Sequence, residues 1–143
     1  MARIEFEVVG KPPKKIRGKS MWSSDSQSGL IQELRRAAYL AEEKSSTEFL
    51  HINISIEINI YASKFHHDPQ KPEQYLGDLD NLISGICECF QKAPKLYKYL
   101  LNDPSKGNPI FYNNDNQITS IHAFKHILSD QEPTYYTISI ETA

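Results

Sequence analysis

Between His51 and Tyr61 the chain alternates without a break, with Ile52, Ile54, Ile56, Ile58 and Ile60 on one side and Asn53, Ser55, Glu57 and Asn59 on the other. A period of two over this length belongs to a β-strand with one covered face and one wet face. Five isoleucines in a row form too large an apolar surface to leave open. The strand therefore reads as a central antiparallel strand, and other parts of the chain must lie over its isoleucine side.

Two segments have the pattern needed to cover it. Ser26 to Lys44 carries Leu30, Ile31, Leu34, Ala37, Ala38 and Ala41 as a one-sided helical stripe, with Arg35 and Arg36 facing away or along its margin. Asp78 to Lys92 places Leu79, Leu82, Ile83, Ile86, Cys87 and Phe90 at helical spacing. Three further strands are expected. Ile4, Phe6 and Val8 alternate in the first, Gln117 to Lys125 forms a weaker third, and Tyr136, Ile138 and Ile140 mark the last, from Thr134 to Glu141. The order is β-α-β-α-β-β, and the economical fold is α+β, a four-stranded mixed β-sheet with two main helices on one face. With 143 residues, residues 1–143 read as a single domain.

The connections are polar. Gly10 to Ser20 contains Pro12 and Pro13, which forbid a helix start, so it reads as an exposed loop. Lys64 to Gly77, with Pro69 and Pro72, reads as a long loop. Pro94 to Tyr112 reads as a short helix followed by a loop. No apolar run approaches the ~20 residues of a membrane span, so no membrane partner is expected. The N-terminus reads as a strand without the apolar core of a signal peptide, which makes the cytoplasm the expected compartment. Cys87 and Cys89 are two apart on a helix and point in different directions, so they read as a reduced, mostly buried pair.

Net charge is −2, yet Lys11, Lys14, Lys15, Arg17 and Lys19 fall within nine residues that contain no acid. Lys92, Lys95 and Lys98 make a second acid-free cluster. Such local charge is either an ordinary solvated surface or a place for a polyanion, and net charge does not distinguish them. Trp22 follows the first cluster; it either anchors the loop to the core or offers a ring on which an unpaired base stacks. The adjacent His66 and His67, on a polar loop, read as exposed rather than ligating.

Two acidic segments bear on chemistry. Gly77-Asp78-Leu79-Asp80-Asn81 puts two carboxylates where a helix begins, and Asn113-Asn114-Asp115-Asn116-Gln117-Ile118 puts a third just before a strand. Acids at a helix start satisfy backbone N–H groups and suit the helix dipole, and an Asn-rich run is also turn chemistry. Alternatively, three carboxylates brought together form a hard oxygen site for Mg²⁺ or Mn²⁺.

Asp-Leu-Asp-Asn-Leu opening an amphipathic helix, followed by Asn-Asp-x-Gln-Ile opening a strand that reaches Lys125, resembles the RusA family of Holliday junction resolvases. The wider order is similar too. A Lys-Pro-Pro loop and basic residues follow the first strand, a strand precedes the acidic helix, and two strands close the chain. The resemblance implies a RusA-like fold and a homodimeric, Mg²⁺-dependent endonuclease that resolves four-way DNA junctions in recombination and repair. It implies that Asp78, Asp80 and Asp115 are catalytic and hold the metal, and that Asn81 sits beside them to orient a ligand or a bound water. Lys125 would be the catalytic cation, and Lys11, Lys14, Lys15, Arg17 and Lys19 would contact DNA. The chain departs from the family in three places. Ser84 stands where the family's helix carries a lysine thought to assist catalysis, Asn114 stands in place of the first of two aspartates, and the stretch 95–111 is longer than the usual connection. The first two departures make a branched-DNA-binding protein with weak or lost cleavage the alternative. His122 and Lys125 differ in strand parity, so the two are not expected on one face.

Overall fold

A computed structural model describes residues 2–23, 25–45, 48–63, 67–68, 71–129 and 132–142. The main sheet holds four strands: β1 (Arg3–Val9), β2 (Ile54–Ala62), β5 (Ile118–Ile127) and β6 (Tyr135–Thr142). They lie in the order β1-β6-β2-β5. β6 runs antiparallel to both β1 and β2, whereas β2 and β5 are parallel. The isoleucine strand is therefore central but mixed in its pairing. Parallel neighbours cannot be joined by a tight hairpin and need a long crossover. Helix α2 (Leu79–Cys89) supplies it between β2 and β5, and helix α1 (Ser28–Lys44) lies between β1 and β2.

One core results. Ile54, Ile56, Ile58 and Ile60 of β2 are fully buried, together with Ile138 and Ile140 of β6, Ile31, Leu34 and Ala38 of α1, and Leu82, Ile86 and Cys89 of α2. Ile52 lies before the strand begins and is exposed. The opposite sheet face is open. Across it Tyr135, Tyr61 and His126 stack ring on ring, with centroids 4.6 and 4.7 Å apart. In the β2–β5 register Lys125 pairs with Ile60 and His122 with Glu57, so Lys125 is on the helix side and His122 on the open side.

Three expectations are corrected. The stretch 64–77 is not all loop: β3 (His67–Asp68) pairs with β4 (Lys71–Tyr75) as a small antiparallel ribbon. Both strands of such a ribbon are edges, so Pro72 is tolerated there despite its missing N–H. The His66-His67-Asp68 expectation lies outside the described residues at His66, and for its side chains throughout. The stretch 94–112 contains only one 3-10 turn, Leu100–Asn102, rather than a regular helix. Arg35 does not face away from the core: it is 1% exposed.

Arg35 explains how a connection without regular structure stays ordered. Its guanidinium pairs with Asp103 at 2.9 Å and donates to the Ser105 hydroxyl and the Asn108 carbonyl, each at 2.7 Å. It also donates to the carbonyls of Cys89 and Gln91 at the end of α2. A buried charge is tolerated only when paired and fully hydrogen-bonded, and here every donor direction is used to tie α1, α2 and the 103–108 turn together. Trp22 packs at this hub, its ring 5.5 Å from the Arg35 guanidinium carbon and edge-on to Tyr97. The arrangement matches the anchoring role for Trp22. Among the described residues no helix is long and apolar enough to cross a membrane.

Candidate metal and nucleic-acid site

Helix α2 positions the first acidic segment. Asp78 is its N-cap by backbone conformation, but the carboxylate makes no capping hydrogen bond and is exposed. Asp80 sits in the first turn, also exposed, and accepts from the Asn81 N–H at 3.0 Å. The Asn81 carbonyl in turn accepts from the Lys15 N–H at 3.0 Å. The first acidic segment therefore leaves its carboxylates largely unspent on local structure.

The second acidic segment behaves differently. Asp115–Gln117 forms a single 3-10 turn with a capping box. Asn114 accepts from the Asn116 N–H at 2.9 Å, and the Gln117 side-chain oxygen accepts from the N–H groups of Asn113 and Asn114. Gln117 and Asn113 also donate to Leu50 O, and Gln117 to Ile52 O, fastening the turn to the start of β2. Three of the five polar side chains in this run, Asn113, Asn114 and Gln117, are thus explained by turn chemistry. Asn114, in particular, has a structural role that an Asp would share. The Asp115 carboxylate enters none of those bonds and is exposed.

The two segments lie at opposite ends of α2. At the N-terminal end, Lys125 of β5 donates to Gly77 O at 2.7 Å. Towards the other end Asp115 shares an open cleft with Ser84, Cys87 and Glu88 of α2, Gln91 just beyond it and Ile121 of β5. Along the helix Asp80 and Cys87, which lines the Asp115 cleft, are seven residues apart, about 10 Å at 1.5 Å per residue. Among the described residues no three His, Cys, Asp or Glu side chains are grouped so as to hold a metal ion. Asp78, Asp80 and Asp115 are thus not drawn into one cluster among the described residues of a single copy.

The basic loop lies along α2, from Gly77 just before its first turn to Glu88 near its C-terminal end. Lys15 pairs with Glu88 at 3.2 Å, and the Pro13 carbonyl lies against Gly85, where any Cβ would come within 2.3 Å of it. Glycine at 85 is thus what lets the loop lie flat on α2. Lys14 stretches over Gly77: a Cβ there would meet its Nζ at 2.9 Å, and Gly77 has φ +97°. Lys11, Arg17 and Lys19 are exposed along the same loop. Sequence reasoning missed that the loop docks on the acidic helix; its one signal was Gly85, a glycine inside an otherwise regular helical stripe.

The cysteines are buffered from chemistry. Burial pushes the Cys87 thiol up to about 11, against the Tyr112 hydroxyl that lowers it. Burial raises Cys89 further still. Both thiols are free.

No family model matches the chain, and no curated protein matches it either.

Proposed function

We propose that the chain is a metal-dependent, structure-specific endonuclease that resolves four-way DNA junctions as a homodimer with a RusA-like fold. The observation that carries this reading is the convergence at the head of α2. Lys125 bonds the carbonyl of Gly77, the residue before the exposed Asp78, with Asp80 exposed in the turn that follows and a basic loop laid against the same helix. Phosphodiester hydrolysis needs this pairing of charges. A water oxygen bonds to phosphorus while a P–O bond to the sugar breaks, the water gives up a proton, and the departing oxygen takes one. Cations nearby offset the negative charge that builds on the phosphate. Lys125 fills that role, Asn81 lies where it can orient a water, and Lys11, Lys14, Lys15, Arg17 and Lys19 supply sequence-independent phosphate contacts. An ion such as Mg²⁺ or Mn²⁺, when bound, polarises a phosphate oxygen and lowers the pKa of a bound water.

The position of Asp115 decides how such a site would be completed. Within one copy Asp115 is not grouped with Asp78 and Asp80, so the reading places the completing carboxylate on a second copy. β5 is an edge strand and exposes Ile121, Phe124 and Ile127 at 41, 49 and 47%. Ile121 and Ile127 lie on the helix side of this edge and Phe124 on the open side, and the unpaired backbone of such an edge is a template for another strand. Two β5 edges in antiparallel apposition, related by a two-fold axis, carry the Asp115 end of one copy towards the Asp78 end of the other. Two identical sites related by a two-fold also suit a four-way junction.

Complementation tests this. Asp80→Asn and Asp115→Asn are each inactive on a labelled four-way junction with Mn²⁺. Co-expressed as a mixed dimer, they pair intact Asp78 and Asp80 of one copy with intact Asp115 of the other at one site, so the junction is nicked but not resolved. A mixture that stays inactive while the wild type cleaves overturns the two-copy site. A second reading, a branched-DNA-binding protein without cleavage, is favoured by Ser84 and by the separated carboxylates. Junction binding without cleavage by the wild type would establish it and overturn the nuclease.

A further inference from the structure

Among the cations of the basic loop, Lys14 is held in a way the others are not. Its backbone N–H donates to the Gln27 side-chain oxygen at 2.6 Å, and the Gln27 side-chain nitrogen donates to the Lys14 carbonyl at 2.7 Å. Gln27 is 8% exposed, so both bonds form out of water where an unmade one is costly. On either side of Lys14, the Lys15 N–H bonds Asn81 O and the Pro13 carbonyl abuts Gly85. Three consecutive residues are thereby pinned to α1 and to the first turns of α2. A lysine whose role is to be solvated needs none of this.

The clamp sends the Lys14 side chain along Gly77, while Lys125 Nζ bonds the carbonyl of the same residue at 2.7 Å. Two ammonium groups from distant parts of the chain meet on the peptide unit that precedes Asp78. Lys14 is in no ion pair within 4 Å among the described residues, so its charge is not spent on a carboxylate. The helix itself offers Ser84 rather than a cation on its cleft side, and Lys92 lies beyond the far end of α2, past Cys89.

We infer that Lys14 contacts the phosphate under attack beside Asp78 and Asp80, supplying the cation that α2 lacks, with Gln27 as its positioning residue. The inference rests on the nuclease reading above and assigns to one loop lysine a role distinct from general DNA contact.

The test separates rate from affinity. On a labelled four-way junction with Mn²⁺, Lys14→Ala lowers the single-turnover rate at saturating protein by about 100-fold, as loss of one transition-state donor does. Its junction Kd changes far less. Lys14→Arg restores part of the rate, and Gln27→Ala lowers it with the lysine still present. Lys11→Ala shows the reverse split, its loss falling on Kd, and the remote Lys44→Ala moves neither. A saturating rate unchanged in Lys14→Ala, or a loss confined to Kd, overturns the inference while leaving the nuclease reading intact. If the wild type cleaves no junction, the nuclease reading is what fails. The phosphate contact is then read by titrating inorganic phosphate against the amide signals of Gly77 and Asp78. Shifts in the wild type that vanish in Lys14→Ala support it, and their absence in the wild type overturns it.

Discussion

Arg35 and Asp103 form an ion pair sealed from solvent, Nη2 to Oδ2 2.9 Å, with side chains 1 and 2% exposed. The pair joins α1 to a stretch of chain that has almost no regular structure. Ser105 and Gly107 complete the shell by donating to the same carboxylate.

Removing one member leaves the other charged and buried. Arg35→Ala is expected to cost about 3–5 kcal/mol, whereas replacing both members by apolar residues of similar volume costs much less. Urea unfolding of the two single variants and the double variant measures the difference. A single-variant loss within the range of ordinary surface substitutions would contradict the role given to the pair.

Acid should unfold the protein partly through this carboxylate. Burial works to raise Asp103, but the Arg35 hydrogen bond and charge outweigh it and hold the carboxyl below its usual range. A group depressed in the folded state stabilises fully above its unfolded pKa of about 4 and loses that contribution as pH falls through the folded value. Glu42 has the opposite sign: burial raises it although the Phe111 N–H partly counters, so its ionisation works against folding as pH rises. Thermal melts from pH 7 down to pH 2 should fall steeply at the acid end in the wild type and less in Asp103→Asn.

A divalent ion should stabilise the folded state only where copies can meet. An ion at about 100 times its Kd adds about 2.7 kcal/mol, several degrees in Tm for a chain of this length. Because Asp78 and Asp80 lie at one end of α2 and Asp115 at the other, the Mn²⁺ shift should grow with protein concentration and disappear in Asp80→Asn. A shift independent of concentration would argue for a site within one copy.

Gly85→Ala tests the docking of the basic loop. The new methyl carbon would stand 2.3 Å from the Pro13 carbonyl oxygen, so loop or helix must move. A stability loss of about 1–3 kcal/mol is expected, typical of overpacking. Weaker junction binding with a shallower salt dependence should accompany it, since a displaced loop contributes fewer phosphate contacts.

Several elements were legible in the chain before folding. Alternating isoleucines and two helical stripes needed only local periodicity, because side chains two apart in a strand share a face whatever lies beyond them. The same holds for Lys125 and His122 on opposite faces, and for Asp78 and Asp80 at a helix start. Arg35 was misjudged because an arginine on the margin of a stripe looks alike whether it meets water or Asp103, sixty-eight residues away. The pairing of β3 with β4 was hidden by Pro72, which an edge strand tolerates.

Sequence by itself determined which residues alternate, which helices carry acid and which loop carries base, since each is a matter of neighbours along the chain. Tertiary structure alone decided that the basic loop lies on the acidic helix and that Asp115 lies at the far end of that helix from Asp78 and Asp80. The parallel β2–α2–β5 crossover is the physical reason: it runs α2 back against β5, so the beginning of the helix meets the end of the strand, and the carboxylates at their two beginnings are held apart.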